Sequence, residues 1–343
     1  MALVTNAIET PAAETSAGST GSIVAPGARG ASPAGEGGPA THLPRIRAAR
    51  RRVGAREFDF DRRTAIMAII NRTPDSFYDR GATFALDRAV DAAIAAVEAG
   101  ADILDIGGVP FSPDVPPVSA AEEADRVVPL VERIRARTDA VISIDTTRGA
   151  VAAAALDAGA DLINDTNGLR DEELLAVVAA ERAHVVVAHS IAKPFTHHRA
   201  PRYDDVVREV GDYLRERVEA VRSAGVPDER ILIDPGHDLN KNTLHTLELC
   251  RRLAPIADLG LPLLVALSNK DFVGETLDRE RGDRVAGTLA ATVMCVQQGA
   301  RIVRTHNVRE TVDAVRMTET ILGLRAPAYL RHNIDVGAES ATR

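Results

Sequence analysis

Several short apolar runs in this chain stop at a residue able to bind or steer charge. Asp145, Asn164, Asp234 and Lys270 stand at the ends of four of them, Asn71 at a fifth, and Arg304 and His306 at a sixth. Carboxylates accept from ring N–H and amino groups. An Asn side chain offers a donor beside an acceptor, and a Lys ammonium donates to a ring nitrogen or carbonyl oxygen. Together the four suit a flat nitrogen heterocycle. Arg304 and His306 stand two residues apart on an extended segment, so they share a face and suit an anion such as phosphate. The structural alternative is a salt bridge between Asp145 and Lys270 closing the same opening. A single Asp in such a place would cap the next helix, and Asp165 reads that way by itself. Polar residues after all eight runs, converging on one rim, favour a ligand site instead.

The elements that hold these residues follow from periodicity. Apolar runs at 65–70, 103–106, 141–144, 162–163, 185–188, 231–233, 263–267 and 302–303 alternate with segments of helical period. Those segments begin near Leu86, Ser119, Arg148, Asp171, Asp204, Thr243, Gly287 and Val308. Ala99-Gly100, Ala158-Gly159 and Gly299-Ala300 end helices just before the next run, as a C-terminal glycine does. Both faces of each strand are apolar, which implies a parallel sheet covered by helices. Eight such repeats predict an α/β fold, a (β/α)8 TIM barrel, with its site at the C-terminal ends of the strands. The competing open doubly wound sheet lacks a Gly-rich fingerprint after its first strand.

Residues 1–55 are expected as a disordered Ala/Gly/Pro/Ser-rich tail whose basic end, 45–52, reads as a solvated hinge. The barrel is expected over 56–330 and a flexible tail over 331–343. The net charge of −8, aromatics at 3% and the absence of tryptophan argue against a nucleic-acid surface. No apolar run is long enough to span a membrane, and the N-terminus lacks a secretory pattern, so a cytoplasmic protein is expected. Cys250 and Cys295 read as small buried hydrophobes in a reducing compartment. The histidines, His237 with Asp238 at the mouth among them, lack the spacing of a zinc hydrolase, and no tight metal site is expected.

The motifs carry a resemblance. MAIINRTPDSF (67–77), DIGG (105–108), ISIDT (142–146), INDTNG (163–168), ILIDPGHDLNKN (231–242), LVALSNK (264–270) and RIVRTHNV (301–308) stand in order, each at a strand end. Over about 64–323 the chain resembles dihydropteroate synthase. That resemblance implies condensation of a hydroxymethyl-dihydropterin pyrophosphate with p-aminobenzoate, releasing pyrophosphate, with Mg2+ and in a homodimer. It implies that Asp145, Asn164, Asp234 and Lys270 grip the pterin. Asn71 would lie beside the metal and pyrophosphate, Arg304 and His306 would contact the pyrophosphate, and Lys270, Arg304 and His306 would be the catalytic set.

The departures fall together. Where the family continues Gly-Gly-Glu-Ser-Thr-Arg-Pro-Gly, this chain has Phe111 at the threonine and Ser112 at the arginine. Losing such donors opposite a leaving anion costs about 3–4 kcal/mol in the transition state. Asp271 replaces a serine that receives the p-aminobenzoate carboxylate, and Leu239 replaces a phenylalanine. Asp271 either repels that carboxylate or turns away to cap the next helix. The expectation is a paralogue that still recognises a pterin, with synthase activity weakened, lost or retargeted. Three alternatives stand beside it: a fully active synthase with Arg72, Arg80, Lys193, Arg199 or Lys241 supplying the missing charge, a methyltetrahydrofolate-binding corrinoid methyltransferase, and a non-catalytic pterin-binding partner protein.

Overall fold

The computed structural model describes residues 41–71, 86–109, 117–192, 196 and 200–333. An antiparallel hairpin comes first, β1 (Arg50–Val53) with β2 (Arg56–Asp59). Eight parallel strands follow: β3 (Ala65–Asn71), β4 (Ile103–Gly107), β5 (Val141–Asp145), β6 (Leu162–Asp165), β7 (His184–Ala188), β8 (Ile231–Asp234), β9 (Leu263–Ala266) and β10 (Ala300–Thr305). They pair in chain order, and β10 closes on β3. The fold is therefore the (β/α)8 barrel, and closure excludes the open sheet. Helices α1 (Leu86–Glu98), α2 (Ala120–Arg135), α3 (Gly149–Asp157), α4 (Glu172–Ala180) and α5 (Val206–Ser223) follow β3 to β7 in turn. Two helices follow β8, α6 (Thr243–Arg251) and α7 (Ala254–Ala257). Two follow β9, α8 (Asp271–Leu277) and α9 (Val285–Gln297), and α10 (Val308–Ile321) follows β10.

Strand alternation decides what reaches the interior. Met67, Ile103, Val141, Leu162, Val186, Leu232, Leu264 and Ile302, one from each strand, share a buried cluster. Their neighbours Ile66, Leu104, Ile142, Ile163, Val185, Ile233, Val265 and Val303 belong to the second cluster, with the helices. Two residues beyond the interior set, on the same strand faces, come Asp105, Ser143, Asn164, Asp234 and Arg304. The barrel is thus greasy below and polar above. Each buried aliphatic side chain stabilises the fold by about 1.5–3 kcal/mol, which offsets desolvation of the polar layer.

The hairpin seals the N-terminal end of the barrel. Phe58 and Phe60 stack with centroids 5.4 Å apart, and both join the interior cluster with Ile46, Ala49 and Val53. Arg51 donates from Nη1 to the carbonyl oxygens of Asp228, Glu229 and Ile231 at 3.0, 3.1 and 3.1 Å. It also donates from Nε to Ala48 and from Nη2 to Arg47. The basic run 45–52, expected as a solvated hinge, is therefore folded structure. Its apolar residues seat in the core, and one guanidinium answers carbonyl groups that the barrel floor would otherwise leave bare.

Candidate functional site

Asp105 on β4 is the hub of the polar layer and is completely buried. Its Oδ2 accepts from Arg304 Nε at 2.5 Å and from Asn164 Nδ2 at 3.1 Å. Its Oδ1 accepts from Ser143 Oγ at 2.6 Å. The second arm of Arg304 donates Nη2 to Asp145 Oδ2 at 2.8 Å. Four strands are thereby tied at one level. Burial works against the charge of Arg304, but Asp105 and Asp145 outweigh it and raise its pKa. Burial pushes Asp145 up to about 7, with Arg304 pulling back and Asp105, Glu123 and Asp165 pushing further. That proton belongs to the linked group rather than to one carboxyl. The alternative Asp145–Lys270 salt bridge is not formed, because Arg304 occupies Asp145.

Beyond β8 the chain turns sharply. Asp234 Oδ1 accepts from the Gly236 amide at 2.7 Å. Gly236 has φ 66°, and a Cβ there would meet the His189 carbonyl oxygen at 2.2 Å, so only glycine fits. Lys270 donates its ammonium to the His237 carbonyl, and burial lowers its pKa while Asp238 and Asp234 raise it back. Lys241 Nζ is buried among His189 Nδ1 at 2.8 Å, Gly236 O at 2.9 Å and Leu239 O at 3.0 Å. Burial draws its pKa down to about 7. Its three donors are committed, so Lys241 holds the turn and adds no charge to the mouth. Burial, then Lys241, takes His189 down to about 2, so this imidazole is neutral and accepts at Nδ1. Asn240 Oδ1 accepts from Ser190 Oγ at 2.8 Å and from the Ile191 and Ala192 amides at 3.0 Å.

The other expected residues are placed as follows. Asn71 ends β3 in register with Gly107, and a Cβ on Gly107 would stand 3.2 Å from Asn71 Oδ1. His306 Nδ1 lies 3.0 Å from Ser268 Oγ. Leu239 is half-buried in the β8 turn, its amide on the Gly236 carbonyl at 2.9 Å. Asp271 is the first residue of α8, where a negative charge suits the helix dipole. Its Oδ1 receives Arg284 Nη1 at 3.0 Å and Arg281 Nη2 at 3.5 Å, so the carboxylate is turned to these arginines. Asp165 accepts from the Asn167 and Leu169 amides at 2.8 and 2.6 Å, a loop-closing role. Phe111 and Ser112 lie outside the described residues, as do Arg72, Arg80, Lys193 and Arg199. His237, expected to line the mouth, is instead fully buried behind its turn.

Two members of the site escape a reading of strand ends. Asp105 sits inside an apolar run, two residues before the end of β4, and a carboxylate there was itself the signal. Asn240 has φ 52°, and its side chain reaches across to the β7 loop.

Residues 67–306 match the sequence model described as pterin binding enzyme. The chain is 46% identical over 271 residues to the "Inactive dihydropteroate synthase 2" of Mycobacterium tuberculosis, covering 77% of this chain and 85% of that protein. The chain belongs to the dihydropteroate synthase family. Within that family it is also 39% identical over 260 residues to the dihydropteroate synthase of Escherichia coli, 76% of this chain and 92% of that one. The crystal structure of Yersinia pestis dihydropteroate synthase with a sulfonamide drug superposes with a TM-score of 0.77 at 36% identity, covering 80% of this chain and all of that one. Among the described residues no helix is long and apolar enough to cross a membrane.

Proposed function

We propose that this dihydropteroate synthase family member binds a dihydropterin pyrophosphate at the barrel mouth and condenses it with p-aminobenzoate weakly, not at all, or with another amine in its place. One contrast carries the reading. On the pterin side, Asp145 and Asn164 are tied through Arg304 and Asp105, while Asp234 and Lys270 both bond the turn after β8. On the amine side, Asp271 brings a carboxylate where the family has serine, and it is held by Arg284. The mycobacterial relative named inactive supports the loss of synthase activity.

The chemistry asks for positioning. The bond from the pterin methylene to the pyrophosphate oxygen breaks, the amine nitrogen bonds to the methylene carbon, and the amine loses a proton. Asp145 and Asp234 would accept from the ring's N–H and amino groups, and Lys270 would donate to its acceptors. Arg304 and His306 would face the departing pyrophosphate, where preorganised donors lower the barrier. Asn71 offers a single neutral oxygen at this rim, which suits Mg2+ carried on phosphate oxygens with one or two side-chain ligands. The ion would supply charge neutralisation of the leaving group. A homodimer belongs to the same proposal. Met294 on α9 and Met317 and Ile321 on α10 are large apolar side chains left exposed on two neighbouring helices.

The test is pyrophosphate release from 6-hydroxymethyl-7,8-dihydropterin pyrophosphate with Mg2+, with and without p-aminobenzoate, beside calorimetric binding of the same pterin. Binding without p-aminobenzoate-dependent release is the expected result. Release at the rate of an active family member would overturn the amine half, and absence of binding would overturn the pterin half.

A further inference from the structure

Behind the β8 turn lies a second cluster, which the chemistry above does not use. His237 follows β8, Cys250 lies on α6 and Cys295 on α9. One donor atom from each lies within 4.8 Å of the other two. All three residues are buried, His237 and Cys295 completely and Cys250 at 8% exposure. Neither ring nitrogen of His237 has a hydrogen-bond partner of good geometry, and its polar neighbour is the Cys250 thiol, with Cys295 beside that. Buried imidazoles are nearly always satisfied, and a ring whose polar neighbours are two thiols is suited to share an ion with them. The cysteines are free thiols.

We propose that His237, Cys250 and Cys295 form a buried site for one thiophilic divalent cation, with Zn2+ the best-fitting ion. Three atoms within 4.8 Å of one another have a common point at most about 2.8 Å from each, so bonds of about 2.0 Å to imidazole and about 2.3 Å to thiolate need each ligand to move in by no more than about 0.5–0.8 Å. Two thiolates neutralise a divalent ion, so the occupied site carries no net charge into the core. The donor set is soft sulfur with one imidazole, which selects Zn2+ over Mg2+ or Ca2+. Three protein ligands leave a fourth position for water or a further side chain. The site joins the β8 turn to two outer helices. Its ion would pin the turn whose His237 carbonyl holds Lys270.

The test uses the untagged, full-length protein, kept reduced and stripped with EDTA. Co2+ is added first as a spectroscopic stand-in, and Zn2+ is then titrated against a chromophoric chelator. The chain has only two cysteines, so a thiolate-to-Co2+ charge-transfer band identifies this pair without any variant. The expected result is one equivalent of Co2+ giving that band, full displacement by Zn2+, and a rise in melting temperature with Zn2+. His237→Asn should weaken Zn2+ at least tenfold, and Cys295→Ala at least a hundredfold. A missing charge-transfer band in the wild-type protein overturns the site, whether or not the variants fold. Unchanged affinity in folded His237→Asn overturns the three-ligand assignment.

Discussion

Arg304 Nε on β10 reaches across β3 to lie 2.5 Å from Asp105 Oδ2 on β4. Asp105 is wholly buried, so removing Arg304 strands its charge, and removing Asp105 leaves Arg304 with Asp145 as its one carboxylate partner. Breaking such a pair from one side costs about 3–5 kcal/mol. Asp105→Asn should therefore lower stability by about 3 kcal/mol or more in urea unfolding and weaken pterin binding with it. Arg304→Met combined with Asp105→Leu should be less damaging than the two single losses added together. Strict additivity in that double-mutant cycle would show that the pair is not coupled.

Asp145 gives a pH dependence with a definite sign. Its carboxyl is raised to about 7, chiefly by burial, and it must be ionised to accept from a pterin ring. One unit of pH below that value leaves about a tenth of it ionised. Pterin affinity should fall about tenfold from pH 8 to pH 6, with a proton released on binding at pH 6. For stability the sign is separate. A carboxyl raised in the folded state contributes most below its unfolded value, and that contribution is lost as pH climbs to about 7. Lys241, lowered to about 7, acts in the other window, and stability regained through it rises from about pH 7 toward pH 10. Calorimetry in buffers of different ionisation enthalpy reads the proton, and a flat affinity profile would exclude Asp145 as the acceptor.

The amine side is open to repair. Ser112→Arg together with Asp271→Ser should raise p-aminobenzoate-dependent pyrophosphate release by about 10²-fold, the scale of restoring one transition-state donor. The Asp271–Arg284 pair is largely exposed at its carboxylate. Asp271→Ser should therefore cost less than about 1 kcal/mol of stability. If the double variant gains nothing, these two positions do not account for weakened condensation.

Arg51→Ala should separate stability from binding. It strips the carbonyl groups of Asp228, Glu229 and Ile231 of their donor. Only the Ile231 bond is fully buried and the other two are part-buried, so at about 1–3 kcal/mol per unsatisfied buried acceptor the total should be about 3 kcal/mol. Pterin affinity should stay within twofold, because Arg51 stands at the opposite end of the barrel. A tenfold loss of affinity would mean that floor and mouth are coupled.

Most of the barrel was legible in the sequence because each strand is a short apolar run and several helices start at a polar cap. Asp171 accepts from the Leu174 amide at 2.8 Å, and Asn242 forms a capping box with His245. The hairpin was not legible, since Arg45, Arg47, Arg50, Arg51 and Arg52 dominate the local composition and hide the buried spacing of Ile46, Ala49 and Val53. The rim residues could be read from where each strand stops. Asp105 was marked only as a carboxylate inside an apolar run, and its role could not be read because it depends on Arg304, 199 residues away. The direction of Asp271 was also undecidable, as it depends on Arg284 beyond an intervening helix and loop.

The bonds from Ser190, Ile191 and Ala192 to the single oxygen Oδ1 of Asn240 have a consequence for protein engineering. The segments after β7 and β8 behave as one exchangeable cassette. Transplanting only the β8 segment from a relative without a side-chain acceptor at that position would remove the oxygen on which the β7 segment hangs. A chimera that swaps both segments keeps each with its own counterpart, and a directed-evolution library should diversify them as a unit.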